Sequence, residues 1–169
     1  MVVVTAIGVT VLAVDMSDPP HRSDQRPWVV LEQSRPTSSA SMARIQGNAW
    51  AVLGGLDHIK ALSAAEKDFY AAFAPHGSIG TLNLACGGLG RAVKQAEAYF
   101  TVPTSTGQQV WSHMLTRFQQ LATACRDFGT QPGPRTFQAA TLADGEAFDS
   151  KWRMFDWLEE SGAARRKSP

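Results

Sequence analysis

The chain has 169 residues, room for one domain and a tail but not for two full domains. Apolar residues make up 44% and charged residues 18%, with five Trp and eight Phe, enough to fill a core and too little charge for an intrinsically disordered chain. Sixteen Lys and Arg against fifteen Asp and Glu leave a formal net charge of +1, so bulk charge recruits neither nucleic acid, membrane surface nor acidic substrate.

The opening stretch, Met1 to Val14, is rich in Val, Ile and Thr. Branched Cβ atoms favour a pleated strand over a helix. The stretch has no basic flank, no small-x-small cleavage site at Val14-Asp15-Met16, and falls short of the ~20 residues that span a bilayer. It is expected to be a strand that must pair or be covered, because a bare edge invites association. Residues 15–41 are rich in Pro, Ser and charge and read as an arm, interrupted by Trp28-Val29-Val30-Leu31, which offers a second short strand. No other stretch could cross a membrane, so the expected setting is the cytoplasm or an intracellular or virion assembly.

From Met42 onward apolar residues recur at helical spacing. Met42, Ile45, Ala49, Val52, Leu53, Leu56 and Ile59 mark a first helix, weakened by Gly47, Gly54 and Gly55. Ser63-Ala-Ala-Glu66 has capping-box spacing and predicts the start of a second, which carries Phe69, Ala72 and Phe73 and stops at Pro75-His76-Gly77. A third is periodic from Leu89 to Phe100. Ser105-Thr-Gly-Gln108 is a second box, opening the cleanest stripe of the chain: Val110, Trp111, Met114, Leu115, Phe118, Leu121, Ala122 and Cys125, closed at Gly129. After the breakers Gln131-Pro-Gly-Pro-Arg135, Phe148, Trp152, Phe155 and Leu158 form the stripe of a fifth helix, with Met154 and Trp157 lying off it.

The expected architecture is mainly α: a bundle of four to five helices over residues 42–162, the fourth helix central. A short N-terminal β-strand or hairpin and polar arm (1–41) precede it, and a basic tail (163–169) containing Arg165, Arg166 and Lys167 follows.

The sequence contains no P-loop, dinucleotide-binding GxGxxG, HExxH, EF-hand, GxSxG or CxxC pattern. His21, His58, His76 and His113 have no second His, Cys or carboxylate at i,i+3 or i,i+4 in a ligand-like arrangement on one helix, so no metal ligand, cofactor or catalytic residue is assigned. Cys86 and Cys125 are expected to be small buried hydrophobes; a bridge between them needs Cα atoms within about 7 Å. A Cys–His nucleophile could be assembled only in space, from Cys86 or Cys125 with His113 or His76. The carboxylates, Glu66 and Asp144 among them, are read as caps and solvated faces.

Two functional readings follow. The first is a non-enzymatic structural or interaction subunit that makes protein–protein contact, with a partner or a second copy, through Val3, Ile7, Trp28, Val30, Met154 and Trp157. The second is a small nucleic-acid-binding protein. Gly87-x-x-Gly90 followed by Lys94 has the spacing of the GxxG loop of KH RNA-binding modules, where glycines let backbone approach phosphate, so Gly87, Gly90, Arg91 and Lys94 are candidate phosphate contacts, aided by the basic tail. It departs from that loop in having Gly88 and Leu89 where basic residues belong, and in lacking evident flanking strands.

Overall fold

The computed structural model describes residues 39–73 and 77–162. The Val-rich opening stretch, the Trp28 run, the basic tail, and with them Val3, Ile7, Trp28 and Val30, lie outside the described residues. Among the described residues there are helices and no strands. They are α1 (Ser39–Trp50), α2 (Leu56–Phe73), α3 (Ile79–Glu97), α4 (Ser105–Thr130) and α5 (Pro134–Glu160).

Local chemistry sets the helix boundaries, at several places differently from expectation. Between α1 and α2 a wide turn, Ala51–Gly55, places Gly54 at φ 141°, where a side chain would be strained. The first two helices therefore divide there and not at Ser63. Ser63 lies inside α2 and donates its hydroxyl to the Ile59 carbonyl at 2.9 Å, the back-bonding expected of a mid-helix serine. A capping box does form at the head of α3, with Ser78 Oγ accepting from Thr81 N and Thr81 Oγ1 accepting from Ser78 N. As a result α3 starts ten residues before Leu89 and carries the Gly87–Gly90 stretch as continuous helix. Thr104, one residue before the expected box, caps α4 by accepting from Gly107 N at 3.1 Å. Pro134 sits in the first turn of α5, where its missing N–H costs nothing, so the helix begins directly after the breakers.

Helices α2 to α5 pack in chain order, with α4 between α3 and α5, the central place expected of it. Phe69, Leu89, Val93, Met114, Phe118, Leu121, Met154 and Leu158 are fully buried between them, each contributing on the order of 1.5–3 kcal/mol. At one end Trp50 meets Trp111 edge-on (5.1 Å between centroids) and Trp157 (6.3 Å), and its Nε1 donates to the Phe100 carbonyl at 2.9 Å. This tryptophan, absent from the expected α1 stripe, is the anchor of α1, whereas Ile45, Val52 and Leu53 are exposed. Gly107 lets α4 approach this cluster, since a Cβ there would strike Trp157 and Val102. At the other end Phe73 of α2 stacks on Phe137 of α5 (5.0 Å, 11° between planes) and meets Phe128 of α4.

Candidate functional site

The helix α2 meets α5 through side chains in antiparallel order: Glu66 with Lys151, Tyr70 with Asp144, Phe73 with Phe137. The first two pairs make a polar seam through an apolar body. Glu66 is 3% exposed and accepts from Lys151 Nζ through Oε2. Asp144 is 7% exposed and accepts from the Tyr70 hydroxyl through Oδ2. The second oxygen of each carboxylate, Glu66 Oε1 and Asp144 Oδ1, is buried without a hydrogen-bond partner among the described residues. Burial raises the pKa of Glu66 despite the lowering by Lys151, and the nearby Asp144 charge raises it further. Burial likewise raises Asp144 against the hydrogen bond from Tyr70, and the Tyr70 hydroxyl is itself pushed up, first by desolvation and then by that carboxylate. Glu66 and Asp144, expected among caps and solvated faces, are instead buried. A signal was present, since Asp144 and Lys151 lie seven residues apart on one face of α5, and Glu66 and Tyr70 four apart on α2.

Lys151 also touches the outer surface, with Nζ 5.1 Å from the centroid of the Phe148 ring. Phe148, Trp152 and Phe155 form a ring ladder along α5, each step 5.9 Å between centroids. Phe148 is 41% and Trp152 44% exposed, while Met154 and Trp157 are buried. Two candidate contact residues are thereby corrected: Met154 and Trp157 belong to the core. The inward face of α5 is Ala140, Asp144, Ala147, Ser150, Met154, Trp157 and Leu158; small and polar residues occupy it from Ala140 to Ser150, which leaves Phe148 and Trp152 outside. Val52, Leu53 and Phe100 are further exposed apolar residues.

Cys86 of α3 and Cys125 of α4 are joined by a disulfide, with Cα atoms 5.5 Å apart, and are not the two free hydrophobes expected. No free cysteine occurs, which removes the Cys–His nucleophile. Above Cys86, on the surface between α3 and α4, lies a cleft of about 160 Å³ lined by Gly87, Gly90, Arg91, Lys94 and Arg126. The four candidate phosphate contacts are therefore brought together, and α4 adds a third cation. The mechanism expected of them is corrected, because Gly87 to Gly90 are interior helix and their amides serve the helix instead of forming a loop.

A wider open groove of about 710 Å³ runs between α2 and α3, with Asp68 and Arg91 on its walls and small residues such as Ala72 and Ala85 between them. His58 packs its ring 4.7 Å from that of Tyr99, and His113 is exposed on α4. Among the described residues no group of three or more His, Cys, Asp and Glu is placed to hold a metal, and no helix is long and apolar enough to cross a membrane. No protein family, curated protein or solved structure matches the chain.

Proposed function

We propose that this chain is a non-enzymatic structural or interaction subunit that assembles through the ladder on α5. The observation that carries the reading is the run of three touching rings, Phe148, Trp152 and Phe155, two of them exposed, on one rigid helix. Large aromatics concentrate at protein interfaces because they bury much area for little loss of conformational entropy. Here they lie outside a core that already contains Trp50, Trp111 and Trp157.

The occupant that fits is a second copy of the chain. In an antiparallel pair of α5 helices related by a two-fold axis near Lys151, each ladder faces the other. Asp149 of one copy then lies opposite Arg153 of its mate, twice over, as an isologous interface requires. The N-terminal segment, with Val3, Ile7, Trp28 and Val30, is a second contact element in this proposal. The bridge supports an oxidising setting for the assembly, such as a virion, over the reducing cytoplasm, because disulfides persist there.

The nucleic-acid reading loses its backbone cradle, since the glycines of Gly87-x-x-Gly90 are helical.

Size-exclusion chromatography with light scattering tests the proposal. The full chain should elute as a dimer or larger, and Phe148→Ser/Trp152→Ser as a monomer with unchanged helical circular dichroism. A wild-type chain that stays monomeric well above micromolar concentration overturns it, as does a variant that associates as the wild type does.

A further inference from the structure

We infer that the cleft between α3 and α4 is a binding site for one phosphoryl group of a small molecule, held by Arg91, Lys94 and Arg126. This stands apart from the assembly face and rests on different residues. Three observations carry it.

The first is charge. Arg91 and Lys94 project from α3 and Arg126 from α4 around one concavity. None of the three forms an ion pair with a carboxylate among the described residues, where the ion pairs are Lys60–Asp57, Arg117–Glu146 and Lys151–Glu66. Three cations without carboxylates suit a dianion, and a guanidinium can hold two phosphate oxygens at once.

The second is the glycine floor. Side chains on a helix lean toward its N-terminus, and Arg91 accordingly lies over Gly87, four residues earlier. The Arg91 Nη1 atom sits 3.5 Å from where a Cβ would stand on Gly87. A Cβ on Gly90 would meet nothing within 4 Å, so the space above it is open. Neither position has the positive φ that requires glycine, and glycine weakens a helix interior relative to alanine. Gly87 thus lets the Arg91 guanidinium lie close to the helix, and Gly90 leaves open space beside it.

The third is size. The cleft of about 160 Å³ is well below the ~300–1,000 Å³ of sites that enclose a whole drug-sized ligand. It admits a phosphoryl group and leaves the rest of the molecule outside. The bridge from Cys86 to Cys125 fixes the spacing of its two walls. Three cations around a concavity of this size suit one phosphoryl group, which favours a small phosphorylated molecule over a polymer bound along many phosphates.

The test is a titration of the full-length, oxidised protein with inorganic phosphate at low salt, followed by amide chemical shifts, with a single-stranded oligonucleotide as a second arm. Saturable shifts should appear at Gly87, Gly90 and Arg126. Gly90→Leu, which fills the cleft while favouring the helix, should abolish them, and Arg91→Ala/Lys94→Ala should weaken binding by about tenfold for each cation removed. Absence of saturable shifts overturns the inference, as do unchanged affinities in both variants. An oligonucleotide that binds through these residues while phosphate does not would replace the small molecule by nucleic acid.

Discussion

Replacing Lys151 with Met should destabilise the bundle far more than the loss of an ordinary ion pair. Glu66 is 3% exposed, Lys151 Nζ is its cationic partner, and Oε1 already lacks a hydrogen bond among the described residues. Removing the ammonium strands a charge in the interior, a change that costs about 3–5 kcal/mol, whereas an exposed pair is worth about 0–1 kcal/mol. For a chain of this size each kcal/mol moves Tm by roughly 2–4 °C, so Lys151→Met should lower Tm by about 10 °C or more. The carboxyl can escape by taking up a proton, and burial has already raised its pKa, so the loss should be smaller in acid than at neutral pH. Glu66→Leu/Lys151→Met removes both charges and should recover to within about 2 kcal/mol of wild type, because a buried pair contributes little net stability over apolar packing. Urea unfolding of the wild type, both single variants and the double variant, at two pH values, gives the coupling directly. A Lys151→Met cost below about 1 kcal/mol, or a double variant no more stable than Lys151→Met, refutes a buried charge pair in the α2–α5 seam.

The two seam carboxylates also set a pH dependence: a group whose pKa is higher folded than unfolded contributes stability that is full below its unfolded pKa and is lost as pH rises through the folded one. Asp144→Asn should therefore flatten the fall in stability above about pH 4, measured by urea unfolding across pH, and an unaltered slope contradicts the assignment. The bridge spans a sequence separation of 39, so Cys86→Ala/Cys125→Ala should cost about 4 kcal/mol by restored chain entropy. Thiol titration of the unreduced, denatured protein should find no free thiol, and two free thiols would show the bridge absent. Gly107→Ala should cost on the order of 1–3 kcal/mol, because its Cβ would strike Trp157 and Val102; a neutral effect in thermal unfolding would show the contact to be loose.

The helical class and the central place of α4 were readable because α4 has one uninterrupted amphipathic stripe, from Trp111 through Cys125, that buries as its spacing implies. The phase of α5 was not. Hydrophobic size picks out Phe148, Trp152, Phe155 and Leu158, of which only Leu158 is fully buried, because the closely packed side of that helix has Ala140, Ala147 and an aspartate whose partner, Tyr70, lies 74 residues away. A buried polar pair reverses the local pattern and becomes visible only when both halves are placed. The same holds for α1, where Trp50 outweighs the aliphatic stripe because it finds three aromatic neighbours, Tyr99, Trp111 and Trp157. At the basic cleft, Gly87, Gly90, Arg91 and Lys94 were identifiable from one segment, but Arg126 and the cysteine partner come from another helix, beyond the reach of local spacing.

Hydroxyl-radical footprinting of the full chain across a concentration series tests assembly through α5 most directly. Phe148 and Trp152 should become protected as concentration rises, while Leu53 and Phe100, exposed at 78% each, react at a constant rate. Equal modification of Phe148 and Trp152 at every concentration, in a sample that scattering shows to associate, would place the contact elsewhere and contradict the role given to the ladder.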